Sequence, residues 1–367
     1  WNDNAEADFS YYRIYRDDGG GYVQVADNVT SSDYEDTDVL GQTYYLYQIT
    51  AVDGDGYESA VSEPIGGYAA TFDGGVLLVD ETAEGPPLPG QDGQEDFFAE
   101  IFAGTPYNLE LINDRGVPLE KSLAGQYSSV FWIDDDLNIR LIEDSEPTLD
   151  WFTDYTANIF VAGMRTVTQW IPAPIPTSHM LYEEFGLYAH YENEAWDFVG
   201  ATGASGWPSV ETDPSSPLAE MPFIPRFDLR TGAEVIYTYD SFTDDPAYEG
   251  QPCGILCSTV HGKRILLGFP LSYLTEESSR RLIQRVLTEF GEGPDYIPGD
   301  VDGTDQLDVA DLVYLVSYMF EQGPAPVVMN SADVDGSCRV DIADLVYLVK
   351  YSFYDPPGPA PVTGCAK

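Results

Sequence analysis

The chain repeats itself near its C-terminus, and this repeat limits how that segment can fold more than any other feature. The run DVDGTDQLDVADLVYLVSYMF begins at Asp300, and DVDGSCRVDIADLVYLVKYSF begins 33 residues later, at Asp333. Each copy opens with regularly spaced acidic residues and continues with a helical apolar period, in which Leu312 and Leu315 share one stripe. No helical period precedes either copy. Each copy is therefore predicted to be a loop followed by one helix.

The acidic residues of each copy are spaced like the ligands of a calcium loop. Such a loop supplies side-chain oxygens at positions 1, 3, 5, 9 and 12 and a carbonyl at position 7, because calcium takes six to eight oxygens at about 2.3–2.6 Å. The predicted ligands of the first copy are Asp300, Asp302, Thr304, Gln306 through its carbonyl, Asp308 and Asp311. The predicted ligands of the second copy are Asp333, Asp335, Ser337, Arg339 through its carbonyl, Asp341 and Asp344. The sequence thus predicts Ca²⁺ as the cofactor at two sites.

Position 6 of each loop departs from the usual pattern. Glycine normally stands there because the turn is sharp, whereas this chain has Asp305 and Cys338. Left-handed backbone is tolerable for Asp and strained for Cys, so the second turn is expected to be the less regular.

The loop with a single exiting helix, the Asp at position 12 and the duplication together resemble the type I dockerin family, over residues 298–367. The resemblance implies two antiparallel helices, folding that depends on calcium, and docking onto a cohesin module. In that family positions 10 and 11 help to select the cohesin, and here they are Val309 and Ala310, then Ile342 and Ala343. Repulsion among the carboxylates of a metal-free loop agrees with calcium-dependent folding.

Residues 1–66 alternate apolar and polar side chains in short runs separated by DDGGG and DGDG turns, which predicts an all-β domain. The order of the runs resembles the later part of a fibronectin type III sandwich, with Trp1 near the end of its second strand. Tyr44 or Tyr45 would occupy the tyrosine corner. The resemblance implies a partial sandwich that lacks a first strand and most of a second, leaving unpaired backbone and an uncovered apolar face.

Residues 72–291 alternate apolar strand runs, such as GVLLVDE and SSVFWIDDD, with helical segments, which predicts an α/β domain with a parallel sheet. Their order resembles the flavodoxin-like sheet of class I glutamine amidotransferase-like domains, and this resemblance is carried over for the fold alone. Met164 follows the run NIFVAG, where such enzymes need a nucleophile, and Cys257 lies in a strand-like run. The domain is predicted to be a scaffold without catalytic activity.

Other candidate sites are weaker. Asp134, Asp135 and Asp136 follow a strand, at the sheet edge where α/β domains bind ligands, so they could hold a cation or form a solvated acidic loop. None of the histidines has metal-ligand spacing with another His or Cys; they are His179, His190 and His261.

Four cysteines allow three pairings; they are Cys253, Cys257, Cys338 and Cys365. A bridge from Cys253 to Cys257 would require a turn, because four strand residues span about 13 Å. A bridge between Cys338 and Cys365 would tie the C-terminal tail to the second loop. Such a bridge would fit an extracellular location.

The charge balance limits the partners. The chain carries 63 acidic and 16 basic residues, a formal charge of −47, which argues against nucleic acid because little could neutralise phosphates. No run of eighteen apolar residues exists, so no membrane span is predicted.

Three functions were compatible with these features. The first is an extracellular calcium-binding assembly protein, whose copies join through the incomplete sandwich, as in donor-strand complementation, and through the duplicated loops. A truncated polypeptide would equally explain the missing strands. The second is a cohesin-binding module of a cellulosome-like complex, and the third is an extracellular hydrolase with an unrecognised site.

Overall fold

The computed structural model describes most of the chain. The described residues are 1–41, 43–82, 91–102, 105–112, 116–134, 141–155, 157–216, 219–293, 296–304, 306–354, 358, 361–362 and 364. The chain divides into two compact units, residues 1–74 with 120–127 and residues 75–119 with 128–367. The duplicated segment belongs to the second unit, and the division into three domains remains a prediction.

The first unit is built on one four-stranded antiparallel sheet. Its strands are β1 (Phe9–Asp17), β2 (Val23–Val29), β3 (Tyr44–Asp53) and β4 (Ile65–Tyr68), in the order β2-β1-β3-β4. The short helix α2 (Lys121–Ala124), second in chain order, belongs to the same unit. The alternating pattern folds this way because one face of the sheet buries Tyr12, Ile14 and Tyr45.

Tyr45 makes the contact expected of a tyrosine corner. Its phenol oxygen accepts a hydrogen bond from the backbone N–H of Leu40 at 3.0 Å. Of the two residues considered from the sequence, Tyr45 is therefore the one that makes this contact.

The apolar face of this sheet, which the sequence predicted to be uncovered, is covered in part. Trp1 packs edge-on against Tyr12 with ring centroids 5.2 Å apart, and Tyr47 donates a hydrogen bond to Asp36 at 2.9 Å. Arg16, on the same face as Tyr47, donates to that carboxylate at 2.8 Å. The covering chain is irregular, since residues 30–41 and 43 contain no strand. Irregular segments thus cover part of the face that a second sheet would cover in a sandwich.

The second unit contains a nine-stranded sheet, one half of which is parallel as predicted. The parallel strands are β5 (Val76–Asp80), β6 (Tyr107–Leu111), β7 (Ser129–Asp134), β8 (Asn158–Gly163) and β15 (Gly262–Leu267), in the order β15-β8-β7-β5-β6. β5 and β7 are buried along their whole length, which explains their continuous apolar runs.

Helices follow the parallel strands along the chain. They include α1 (Gln91–Ile101), α3 (Leu141–Thr153), α4 (Thr166–Trp170), α5 (Met180–Glu183) and α6 (Glu276–Phe290). The ring of Phe131 in β7 contacts Phe102, Phe160 and Phe290, which joins strand and helix positions into one core.

The other half of the sheet is antiparallel, so the prediction of a parallel sheet is wrong here and the sheet is mixed. Its strands are β10 (Phe198–Gly203), β11 (Val210–Glu211), β13 (Ala233–Ser241) and β14 (Pro252–Thr259), in the order β11-β10-β13-β14, with β14 pairing to β15. A two-residue turn joins β14 to β15, and so short a turn permits only antiparallel pairing. β9 (Leu187–Asn193) and β12 (Ile224–Leu229) form a separate antiparallel pair.

The duplicated segment forms two loops, each followed by a helix, as the repeat predicted. Its helices are α7 (Val309–Phe320), α8 (Met329–Ala332) and α9 (Ile342–Phe353). The short α8 directly precedes the second copy, where the sequence showed no helical period. They share a small core of buried residues, which are Val301, Leu312, Leu315, Ala332, Val334 and Leu348. Leu315 and Leu348 lie one on each long helix, so the copies bury their apolar stripes against each other.

Candidate metal centres

Each acidic loop gathers three carboxylates at one point. Asp300, Asp302 and Asp311 each place one carboxylate oxygen within 4.8 Å of the others. The second loop repeats this arrangement with the residues at the same positions, which are Asp333, Asp335 and Asp344. Positions 1, 3 and 12 of both predicted ligand sets are therefore brought together.

The aspartate at position 12 holds each loop closed. In the first loop, Asp311 Oδ1 accepts from the backbone N–H of Val301 at 2.7 Å and of Asp302 at 3.3 Å, while Oδ2 accepts from Asp308 at 2.8 Å. The side chain of Asp311 is one carbon shorter than glutamate, and it reaches these groups because the loop backbone lies close to it. The side chain thus contributes to the cluster and to the backbone of the loop.

Asp344 makes the same three contacts in the second loop. Its Oδ1 accepts from Val334 at 2.8 Å and Asp335 at 3.3 Å, and its Oδ2 accepts from Asp341 at 2.8 Å. The two loops therefore have matching backbone hydrogen bonds as well as matching sequences.

The aspartates at position 9 cap the helices. Asp308 accepts from the N–H of Ala310 at 2.6 Å, Asp341 accepts from Ala343 at 2.8 Å, and each forms a capping box with the aspartate at position 12. Neither is part of the three-carboxylate groups. Position 9 often contributes to calcium loops through a water molecule, which suits this placement.

The remaining predicted ligands shape the turns. The N–H of Thr304 donates to Asp300 Oδ1 at 3.0 Å, and that of Ser337 donates to Asp335 Oδ1 at 3.0 Å. Ser337 Oγ donates to the carbonyl of Arg339 at 3.3 Å. The role of Gln306 as a carbonyl ligand remains a prediction.

The irregular turn predicted at position 6 can be checked in one loop. Cys338 has a φ of 61°, in the left-handed region that disfavours a residue with a Cβ. It is disulfide-bonded, whereas Cys253 and Cys257 are free thiols in β14. Asp305 and Cys365 lie outside the described residues.

The electrostatics of the loops are unfavourable without a cation. Asp333 and Asp344 are fully buried, and Asp300 and Asp311 nearly so. Burial raises the pKa of Asp344 to about 6 and also raises that of Asp311, because desolvation disfavours the ionised carboxylate. Removing several carboxylates from water at such short separations costs free energy unless a cation compensates.

The donor set suits a hard cation. Asp302 Oδ1 is buried and accepts no hydrogen bond within the described residues, so an oxygen lone pair is available inside the cluster. The clusters contain oxygen donors without sulfur or imidazole, which disfavours zinc and favours calcium or magnesium. The residues present therefore fit a divalent cation at each loop.

The second loop contacts α6, a connection that the sequence did not predict. Arg280 donates from Nη1 to the carbonyl of Gly336 at 3.2 Å and from Nη2 to that of Asp335 at 3.4 Å. A Cβ built at Gly336 would lie 3.0 Å from Arg280 Nη1, so glycine permits this approach. Only tertiary contact singles out Arg280 within the run ESSRRLIQRV.

The outer sides of the two long helices carry exposed apolar residues at matching positions. On α7 these are Val309, Val313 and Phe320, and on α9 they are Ile342, Val346 and Phe353, each between 46% and 65% exposed. We call these six residues the apolar helix face. It includes position 10 of both copies, and exposed apolar residues that recur at matching positions of two helices are candidates for a protein contact.

The residues considered for catalysis in the middle domain are held by its fold. Met164 after β8 is buried, and burial raises the pKa of the Cys257 thiol, which opposes formation of a reactive thiolate. His179 pairs with Glu146 at 3.2 Å, and the ring of His190 bonds the Ile171 carbonyl at 2.8 Å.

Of the three aspartates at the end of β7, only Asp134 is among the described residues. Asp134 is buried at the carboxyl end of that strand. Asp135 and Asp136 lie outside the described residues. None of the helices in the described part of the chain has the length and apolar character needed to cross a bilayer.

No protein-family model matches the chain. It is 48% identical over 61 residues to an amylopullulanase of Thermoanaerobacter thermohydrosulfuricus, and 36% identical over 94 residues to one of Thermoanaerobacterium saccharolyticum. These stretches cover 16% and 25% of this chain, which spans 4% and 7% of the length of those relatives.

Solved structures with some similarity include an Fn3-like protein from Clostridium thermocellum, at 36% identity and a TM-score of 0.15, covering 17% of this chain and 65% of that one. Another is a beta-galactosidase from Bacillus circulans sp. alkalophilus, at 10% identity and a TM-score of 0.37, covering 60% and 31%.

Proposed function

We propose that this protein is an extracellular calcium-binding structural protein that assembles with other protein subunits and has no catalytic activity. The observation that carries the proposal is the pair of matching clusters, in which Asp311 and Asp344 each join a buried three-carboxylate group while closing their loop backbone. Calcium would compensate the buried charge and fix the loops from which α7 and α9 begin.

Calcium suits these loops better than magnesium. The carboxylates come from a loop that also offers carbonyl and hydroxyl oxygens at the predicted positions, and calcium accepts such irregular sets of six to eight ligands. Magnesium demands a near-ideal octahedron and retains several waters. The proposal is therefore specific for Ca²⁺ at both sites.

The finer domain assignments are part of the proposal. The tyrosine-corner contact of Tyr45 supports a partial fibronectin type III-like domain, and the loop-helix duplication supports a dockerin-like pair. The parallel half of the large sheet supports a flavodoxin-like middle domain acting as a scaffold. A buried methionine after β8 and a buried, unactivated Cys257 support a scaffold rather than a hydrolase.

Two surfaces could join one subunit to another. The apolar helix face depends on the calcium loops for its position, since both helices start at a loop. The sheet of the first unit has β2 and β4 as its edges, and Val23 and Ile65 are exposed on them. Such edges can accept a strand from a neighbouring copy. We propose copies of this chain as partners, with a cohesin-like module as the alternative partner of the apolar helix face.

The experiment compares assembly of the purified chain in calcium and in chelator, by sedimentation and electron microscopy. We expect calcium-dependent assemblies, and we expect their loss in the double variant Val313→Asp and Val346→Asp while both calcium ions still bind. Val260→Asp is the matched control, because Val260 is exposed in the β14–β15 turn. Assembly that persists in chelator would contradict the proposal. A monomer that binds an isolated type I cohesin in calcium would favour the alternative partner.

Replacing Arg280 is expected to make the two calcium sites unequal. In Arg280→Met the carbonyls of Asp335 and Gly336 lose their donors, so the second loop becomes less ordered before calcium binds. Two hydrogen bonds from a charged group contribute about 2–3 kcal/mol, so their loss is expected to weaken calcium binding at this loop by roughly 30- to 150-fold. Calorimetric titration should show weaker binding at one site and unchanged binding at the other.

The control for this titration is Arg226→Met, which removes a surface arginine paired with Asp228 at 3.0 Å on the separate strand pair. It should leave both affinities unchanged. Equal weakening of both sites by Arg280→Met would show that the contact supports the segment in general.

A further inference from the structure

A cavity of about 770 Å³ lies beside α6, and none of the clustered carboxylates lines it. Its lining includes the turn that contains Trp207 and Pro208 and, from the C-terminal segment, Tyr351 and Pro361. The volume lies within the range of small-molecule sites, which combine apolar walls with a few convergent polar groups.

The floor of the cavity is one side of α6. Arg281, Gln284, Arg285 and Thr288 line it, at the helical spacing that places side chains on one face. Two guanidinium groups in one cavity are unusual in a chain with 16 basic and 63 acidic residues. Apolar walls around such groups lower the local dielectric and strengthen pairing with an anion.

Arg285 is already committed to the protein. It donates to the carbonyl of Gly206 at 2.8 Å and to Glu289 at 2.6 Å, and its guanidinium stacks 4.5 Å from the ring centroid of Trp207. These contacts fix the position of the indole and of the turn. Arg285 therefore builds the wall of the cavity.

Arg281 is only loosely engaged. Its single ion pair within the described residues is with Glu277, at 4.0 Å, and that carboxylate is 61% exposed. The guanidinium side chain is 24% exposed, so it is largely desolvated without a close anionic partner. Such a group gains most from a ligand carboxylate, which can accept two parallel N–H bonds from it.

We propose that this cavity is a binding site for a small ring-bearing carboxylate, such as a uronic acid or an aromatic acid, with Arg281 pairing the carboxylate. A carboxylate fits better than a phosphate dianion, because the strong negative charge of the chain repels a second ligand charge. The ring would lie between the proline and aromatic walls. This site goes beyond calcium binding and assembly, but Tyr351 of its lining stands on α9, so the test is made with calcium present.

The test is calorimetric titration of the full chain in calcium with glucuronate, benzoate and neutral glucose, each at millimolar concentration. Saturable binding of at least one acid and none of glucose is expected. The affinity for glucuronate compared with that for benzoate shows whether the cavity accepts a sugar ring or an aromatic ring. Arg281→Gln should weaken that binding at least about tenfold, since a charge-assisted pair is lost.

Two further variants keep the test decisive. Arg281→Lys retains the charge but loses the paired donors, and it should bind with intermediate affinity. Arg226→Gln, outside the cavity, should bind like the parent chain, and circular dichroism checks that every variant is folded. Absence of saturable binding by both acids, or equal binding by Arg281→Gln, would overturn the proposal.

Discussion

Removal of calcium is expected to unfold the duplicated segment while the large sheet stays intact. Each buried three-carboxylate group then carries like charges without a counterion, and the loops lose the ion that orders the start of α7 and α9. A site saturated at a thousand times its Kd contributes about 4 kcal/mol to the stability of the folded form. Two such sites exceed what the six-residue core of this segment can be expected to replace.

Hydrogen exchange followed by mass spectrometry measures this directly. Amides of Val309–Phe320 and Ile342–Phe353 should exchange faster in chelator and regain protection when calcium is added. Amides of β5, β7 and β8 are the internal control and should not change. Magnesium at the same concentration should restore little protection. Equal protection of the two helices with and without calcium would contradict a structural role for the ion.

Replacing the aspartate at position 12 is expected to have the largest effect of any single substitution in the loops. Asp344→Ala removes a carboxylate from the cluster and also the acceptor for the N–H groups of Val334, Asp335 and Asp341. Buried donors left without acceptors cost about 1–3 kcal/mol each. The expected loss in calcium is therefore about 3–5 kcal/mol, with calcium binding at that loop reduced below detection.

Two variants separate the roles of the side chain. Asp341→Asn changes a charge in the same loop but keeps a good helix cap, so it should cost about 1 kcal/mol or less. Asp311→Ala should destabilise the first loop by a similar amount and leave the second unchanged, because position 12 accepts the same hydrogen bonds in both loops. Denaturant unfolding in calcium, read by exchange of α9, gives the comparison. Similar losses in Asp344→Ala and Asp341→Asn would contradict the assignment of position 12 as the closing residue.

The sequence was most informative where spacing alone defines geometry. The 33-residue repeat predicted two loops and two helices. It also predicted that the carboxylates at positions 1, 3 and 12 meet, because the loop is short enough to bring these side chains together. It also predicted the parallel strands, since their runs are apolar on both faces. The role of Asp308 and Asp341 as helix caps is encoded in the same few residues and could have been read from the D-x-x-D pattern.

The pairing between distant strands was harder to predict from the sequence. β13 and β14 were recognised as strands, but their antiparallel pairing depends on which neighbour they meet and on the length of the connecting turn. The face of the small sheet was predicted to be open, yet Trp1 and Asp36 contact it from segments without periodic structure. Irregular segments carry no sequence period, so their packing could not be predicted.

The sequence by itself determined the two acidic loops, their exiting helices and the strand content of both compact units, because these features follow from local spacing and apolar period. Only the tertiary structure decided which side of α7 and α9 stays exposed, that Arg280 supports the second loop, and that Arg281 lines a cavity. The reason is physical: burial and long-range contact depend on how separate elements pack, and local sequence does not specify that packing.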